Sequence, residues 1–228
     1  MDKCELIETF FNKSFEANIN KEMLNYSYVF PHEKVMEYVR ALIQVPIKEF
    51  FESVRSKIYL TITCTDIPQF SSLVDATTRY CQVLADNNDT GFKFDDVGRL
   101  LLNDGISRAI GAYRKYGENH SKTAWQLGLS QNLYNNFYLS SLGKIYNSLS
   151  ESDKNALISR TALRNTLYAK IFSLVESQDV NVAHLCQSLS ESTLKRRRSN
   201  VMKICNIIIQ QCLLEGFQLE HHISFVVD

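Results

Sequence analysis

The chain has 228 residues, with 25 Lys and Arg against 25 Asp and Glu, 45% apolar residues, 8 Gly and 3 Pro. The apolar fraction excludes a disordered tail, and the few Gly and Pro exclude a collagen-like fibre. A balanced total excludes a simple cationic nucleic-acid arm, although charge can still be segregated along the chain.

The first segment, residues 1–57, has apolar residues at helical spacing: Leu6, Phe10, Phe11 and Phe15, then Val35, Met36, Tyr38, Val39 and Leu42. Pro46 lacks a backbone donor, so two or three helices are expected, with a break at 44–46. With 8 basic and 9 acidic side chains, this segment reads as a helical packing or homodimerisation layer. Residues 58–64 alternate β-branched and polar positions and suggest a short strand. Asp66 and Pro68 then suggest the start of a helix carrying Phe70, Leu73, Val74, Tyr80, Cys81 and Leu84. A polar turn at 87–91 precedes a short helix over 94–101, and a longer helix is expected over about 106–127. Residues 132–139 read as a hairpin. Three helices followed by a ribbon is the order of a winged helix.

A connecting helix at about 142–149 leads to a second set: helices within 157–175, 180–189 and 192–214, then an alternating strand at 217–225. The expected fold is therefore mainly α. Two tandem winged-helix-like units with short β-ribbons, 58–149 and 150–228, follow the N-terminal helical segment 1–57.

No run approaches the roughly 18 apolar residues of a membrane span; Asn206, Gln210 and Gln211 interrupt the most apolar stretch, 204–214. The start, Met1-Asp2-Lys3-Cys4-Glu5, has no secretion signal, so a soluble, cytoplasmic chain without membrane contact is expected. Cys4, Cys64, Cys81, Cys186, Cys205 and Cys212 are scattered without a CxxC pair and read as reduced, mostly buried thiols. Neighbouring His221 and His222 point different ways, so no metal and no cofactor is expected.

Two stretches suggest binding. Lys195, Arg196, Arg197, Arg198, Asn200 and Lys203 crowd the start of the last helix, behind Ser190 and Ser192. All five cations of the final 38 residues lie there. Cations at a helix N-terminus oppose its dipole, an arrangement that phosphate would relieve; a solvated face or internal salt bridges would also explain it. Earlier, Arg108, Arg114, Lys115, His120 and Lys122 are interleaved with Tyr113, Tyr116, Asn119 and Gln126, which suits phosphate and base-edge contacts. Trp125 and Tyr116 read as core packing, and Lys122 equally as a solvated face.

The pieces Phe94-Asp95-Asp96-Val97-Gly98, Lys115 to His120, Leu127-Gly128-Leu129, Tyr138 to Gly143 and Ser192 to Val201 together resemble the winged-helix modules that accompany bacterial type II restriction endonucleases and related defence systems. The resemblance spans about 58–209 and implies DNA recognition. No catalytic centre is expected. A nuclease needs an acid followed by an acid-x-Lys set, and Asp66 has no such partner. Glu49 and Glu52 read as a solvated face, and Asp95 and Asp96 as helix caps. The leading expectation is a double-stranded DNA-binding protein in a restriction-modification or defence context, or a transcriptional regulator. A non-catalytic interaction subunit with a restriction or defence partner is the alternative.

Overall fold

Pro46, with φ of −55° and no N–H to donate, divides the N-terminal helices. A computed structural model of the chain describes residues 2–11 and 32–227. Helix α1 is Lys3–Phe11, α2 His32–Gln44 and α3 Ile47–Val54; Phe15, expected in the first helix, lies outside the described residues. Helix α3 buries Ile47, Phe50, Phe51 and Val54, one face at helical spacing. Phe51 meets Phe172 and Phe217, at 5.1 and 5.6 Å between ring centroids, so this segment packs on the C-terminal part of the chain.

The expected strand at 58–64 does not form. Arg55–Tyr59 is a 3-10 helix, and the chain then runs irregularly to Ser72. A strand needs a neighbour to take its carbonyls, and here side chains from distant helices take them instead. Lys170 Nζ donates to the Leu60 carbonyl at 3.1 Å, Arg197 Nη1 to those of Cys64 and Ile67, both at 2.9 Å, and Asn200 Nδ2 to that of Phe70 at 2.6 Å. Asn165 Nδ2 reaches the Asp66 carbonyl at 2.9 Å, and Gln126 Nε2 that of Thr65. Nor does Asp66 start a helix: its carboxylate accepts from the Thr63 amide and hydroxyl, each at 2.7 Å. Helix α4, Leu73–Ala76, is capped by Ser72, and Thr77 separates it from α5, Thr78–Asp86.

After a turn with positive φ at Asn88, Asp89 and Gly91, α6 spans Phe94–Leu101 and α7 Ile110–Gln126. The two cross at their glycines. A Cβ on Gly117 would lie 1.8 Å from the Phe94 carbonyl oxygen, and one on Gly98 1.9 Å from that of Tyr113. Gly128, with φ of +72°, ends α7: its N–H reaches the Trp125 carbonyl and the Leu129 N–H that of Ala124, at 3.0 and 2.8 Å.

Strands β1, Ser130–Leu133, and β2, Asn136–Leu139, form an antiparallel hairpin. Tyr134 and Asn135 make its two-residue turn, both at positive φ, which matches the twist of the strands. Phe92, between α5 and α6, pairs antiparallel with Phe137 of β2 and adds a third short edge. Helix α8, Ser141–Tyr146, is capped by Ser140.

The remaining elements are α9 Glu151–Ala162, α10 Thr166–Leu174, β3 Val180–Asn181, α11 Val182–Leu185, α12 Glu191–Leu214 and β4 Ile223–Ser224. Only two residues of the expected strand at 217–225 are extended, and they pair with β3 in parallel. Parallel neighbours need a crossover, here α11 and α12, so the second unit has no hairpin ribbon. The architecture is mainly helical with small two-stranded sheets. One contiguous apolar core runs from Leu6 through Leu84 and Phe172 to Phe225. Among the described residues no helix is long and apolar enough to cross a membrane.

Candidate nucleic-acid interface

Helix α7 buries Tyr113, Gly117, His120, Ser121, Thr123 and Ala124. At about 100° per residue, the opposite face carries Arg114, Lys115, Glu118, Lys122 and Trp125. Trp125 is 48% exposed rather than packed in the core. Lys115 and Lys122 both bridge Glu118, at 3.2 and 2.6 Å, and their contacts hold its carboxyl below the usual range, the bond to Lys122 first. Arg114 has no ion pair among the described residues. The face is thus three cations around one carboxylate.

The two basic stretches, about 70 residues apart in the chain, meet at one cleft of about 180 Å³. Lys115, Glu118, Asn119, Lys122 and Gln126 line it from α7, and Arg197 from α12. Between them runs the irregular segment, with Thr65 and Gln69. Arg197 does not project into solvent as expected. Besides its two carbonyl contacts it donates to Gln69 Oε1 at 2.9 Å, and burial, with the adjacent Arg196 charge, lowers its pKa. Asn200 is likewise turned inward. Arg196, Arg198 and Lys203 are exposed, and Lys195 pairs with Glu191. By helical angle Arg196 and Lys203 lie together beyond Asn200, while Arg198 lies on the other side of Arg197.

Two further expected contacts are engaged elsewhere. Arg108 makes a bidentate pair with Asp104, at 2.6 and 2.5 Å, which holds the carboxyl well below its usual range. His120 is fully enclosed, so its ring cannot reach a duplex. Its Nδ1 is 2.7 Å from the Tyr116 carbonyl and its Nε2 3.2 Å from Ser71 Oγ, while Tyr116 Oη donates to Asp75 at 2.5 Å. This polar cluster ties α4 to α7.

Burial lowers the His120 pKa from 6.5, against the opposing Tyr116 bond and Asp75 charge, and with a smaller push from Arg79. Its neutral ring therefore stabilises the fold fully above pH 6.5, and that stabilisation is lost as pH falls through the folded value. Stability measured by urea titration should fall by up to about 1.4 kcal/mol per pH unit below 6.5. His120→Gln should remove this part of the slope; an identical pH profile in the variant would refute the assignment.

A second cleft, of about 260 Å³, adjoins the first across the Gln126 bridge to Thr65 and is lined by Trp125, Gln131, Asp66 and Arg164 among others. The i, i+4 and i+3 spacing of Arg114, Glu118, Lys122 and Trp125 is a sequence signal that would have marked this face and the exposure of Trp125; nothing local pointed to the clefts. Cys81, Cys186, Cys205 and Cys212 are buried, whereas Cys4 and Cys64 are exposed. Burial pushes the Cys81 thiol up to about 12 and Cys186 up to about 11. Among the described residues no group of three or more His, Cys, Asp or Glu is placed to hold a metal.

The geometry defines a mainly helical chain with a cationic helix face beside a hairpin. No protein-family model, no curated protein and no solved structure matches it.

Proposed function

We propose that the chain binds duplex DNA, with α7 as the reading helix in the major groove and the β1–β2 hairpin as a wing against the backbone. The observation that carries this reading is the path α5, Phe92, α6, α7, β1, β2, in which Phe92 forms a single antiparallel bridge to the second strand of the hairpin, where a winged helix has its first strand. The solvent face of α7 supplies the second support: Arg114, Lys115 and Lys122 stand where phosphates would lie, with Arg196 and Lys203 exposed on α12 beside Arg197 and Asn200. Arg197 acts through position, holding the 64–70 segment beside α7. The C-terminal set α10, β3, α11, α12 and β4 supports this face rather than repeating it, because its parallel strand pair offers no wing. A restriction-modification, defence or regulatory setting is part of the proposal and rests on the sequence resemblance.

With about four phosphate contacts, affinity for a 20-base-pair duplex should fall roughly 100-fold between 50 and 200 mM salt. Replacing both Arg114 and Arg196 by Ala should flatten the slope of log affinity against log salt by about 2. Binding that ignores salt, or a slope unchanged in the double variant, refutes the reading.

A specific observation favours a second reading, a non-catalytic interaction subunit of a defence or restriction complex. Ile106, in the loop before α7, and Ile110, the first residue of α7, are 59% and 62% exposed, near exposed Ala109 and Ala112. Such an apolar patch suits a protein partner. Salt-independent complex formation lost in Ile110→Ser would favour it.

A further inference from the structure

Trp125 is half-exposed on an otherwise charged face, and it lines one of two small clefts that share Thr65 and Gln126. The two clefts differ in chemistry. One is cationic: Lys115, Lys122 and Arg197 outnumber Glu118, and about 180 Å³ suits a group no larger than a phosphate and its sugar. The other has an aromatic wall in Trp125 and a polar rim including Gln126 and Gln131. Each of these amides spends its nitrogen on a backbone carbonyl, Thr65 for Gln126 and Leu139 for Gln131. Their amide oxygens make no hydrogen bond among the described residues. At about 260 Å³ this cleft falls below the range for drug-sized ligands and suits one flat heterocycle.

We infer that the paired clefts form a site for one unstacked nucleotide of a DNA strand, with its base against Trp125 and its phosphate beside Lys115, Lys122 and Arg197. The inference rests on the DNA-binding reading and adds to it a preference for an unpaired base. Stacking on an aromatic side chain is sequence-tolerant, because every base has a π-face, whereas the adjoining cations hold the backbone. A base already outside the helix fills the cleft without the cost of unpairing. A perfect duplex binds through α7 and leaves the cleft empty.

Trp125 is the single tryptophan of the chain, so emission comes from this one side chain at the edge of the cleft. The full chain would be titrated with a perfect 20-base-pair duplex, the same duplex bearing one extrahelical adenine, and a short single strand, reading Trp emission and the anisotropy of end-labelled DNA. The bulged duplex should bind about tenfold or more tighter than the perfect one. It and the single strand should quench the Trp clearly more than the perfect duplex does. Trp125→Ala should erase the preference, leaving the bulged duplex no tighter than the perfect one; Trp125→Phe should keep part of the preference. Equal affinity for both duplexes without quenching overturns the nucleotide site and leaves duplex binding standing. Equal quenching by both duplexes, or a preference without quenching, also overturns it. Failure to bind any of the three DNAs overturns both readings. The quenching arm uses the unmodified chain, so it decides the matter even where Trp125→Ala does not fold.

Discussion

Gly117→Ala is expected to destabilise the protein by about 3 kcal/mol, a fall in Tm of roughly 6–12 °C, and to weaken the proposed DNA binding at the same time. The new methyl would sit 1.8 Å from the Phe94 carbonyl oxygen and 2.7 Å from the Gly98 nitrogen. Both obstacles are backbone, so no side-chain rotation relieves them, and α6 and α7 must separate by roughly an ångström. That motion opens the core around Val97 and Leu101 and shifts the whole face carrying Arg114 and Lys122. Gly98→Ala should act alike, since its methyl meets the Tyr113 carbonyl oxygen at 1.9 Å. Gly111 provides the contrast on the same helix: no atom lies within 4 Å of its added Cβ. Gly111→Ala should therefore stabilise the helix by up to about 1 kcal/mol through reduced backbone entropy. Urea titration of the three variants tests the crossing directly, and a neutral Gly117→Ala would show that α6 and α7 do not approach as closely as described.

Much of α6, α7 and the β1–β2 hairpin was readable in the sequence because their signals are local. The polar turn at 87–91, the glycine exit at 128 and the apolar spacing of Val97 and Leu101 act within a few residues. The segment 58–72 shows the limit of such reading. Its alternation suits a strand, but its carbonyls are taken by Gln126, Asn165, Lys170, Arg197 and Asn200, and the pattern of 58–72 carries no trace of them. The β3–β4 pair was obscured for the same reason, because its two members meet only after α11 and α12 have folded. At the candidate site, charge type was legible and its use was not. Four consecutive cations at 195–198 look alike in sequence, yet on a helix successive residues are about 100° apart. Arg197 is drawn inward while Arg196 and Arg198 stay in solvent. His120 was grouped with the cations, but its place on the buried side of α7 makes it a neutral packing residue.

The same separation of charge from function applies at Arg160, whose side chain is wholly buried. Its Nη2 donates to the Val45 carbonyl at 2.5 Å and to Glu215 Oε1 at 2.8 Å, and its Nη1 donates to the Ala156 carbonyl at 3.0 Å. The other oxygen of Glu215 accepts the Ile47 amide at 2.6 Å. One ion pair therefore joins the Pro46 corner, α9 and the end of α12. Burial lowers the Arg160 pKa and the Glu215 charge opposes that shift, so the guanidinium is held charged by its partner. Glu215→Ala should cost about 3–5 kcal/mol, because it leaves a buried cation uncompensated and the first amide of α3 without its acceptor. Arg160→Met removes the cation as well as its bonds and should cost less than Glu215→Ala. The double variant should cost clearly less than the sum of the two, since the second substitution removes the charge that the first one stranded. A Glu215→Ala cost below about 1 kcal/mol, as for an exposed pair, would mean that water reaches Arg160 and that the corner is held by the apolar contacts of Ile47 and Phe50 alone.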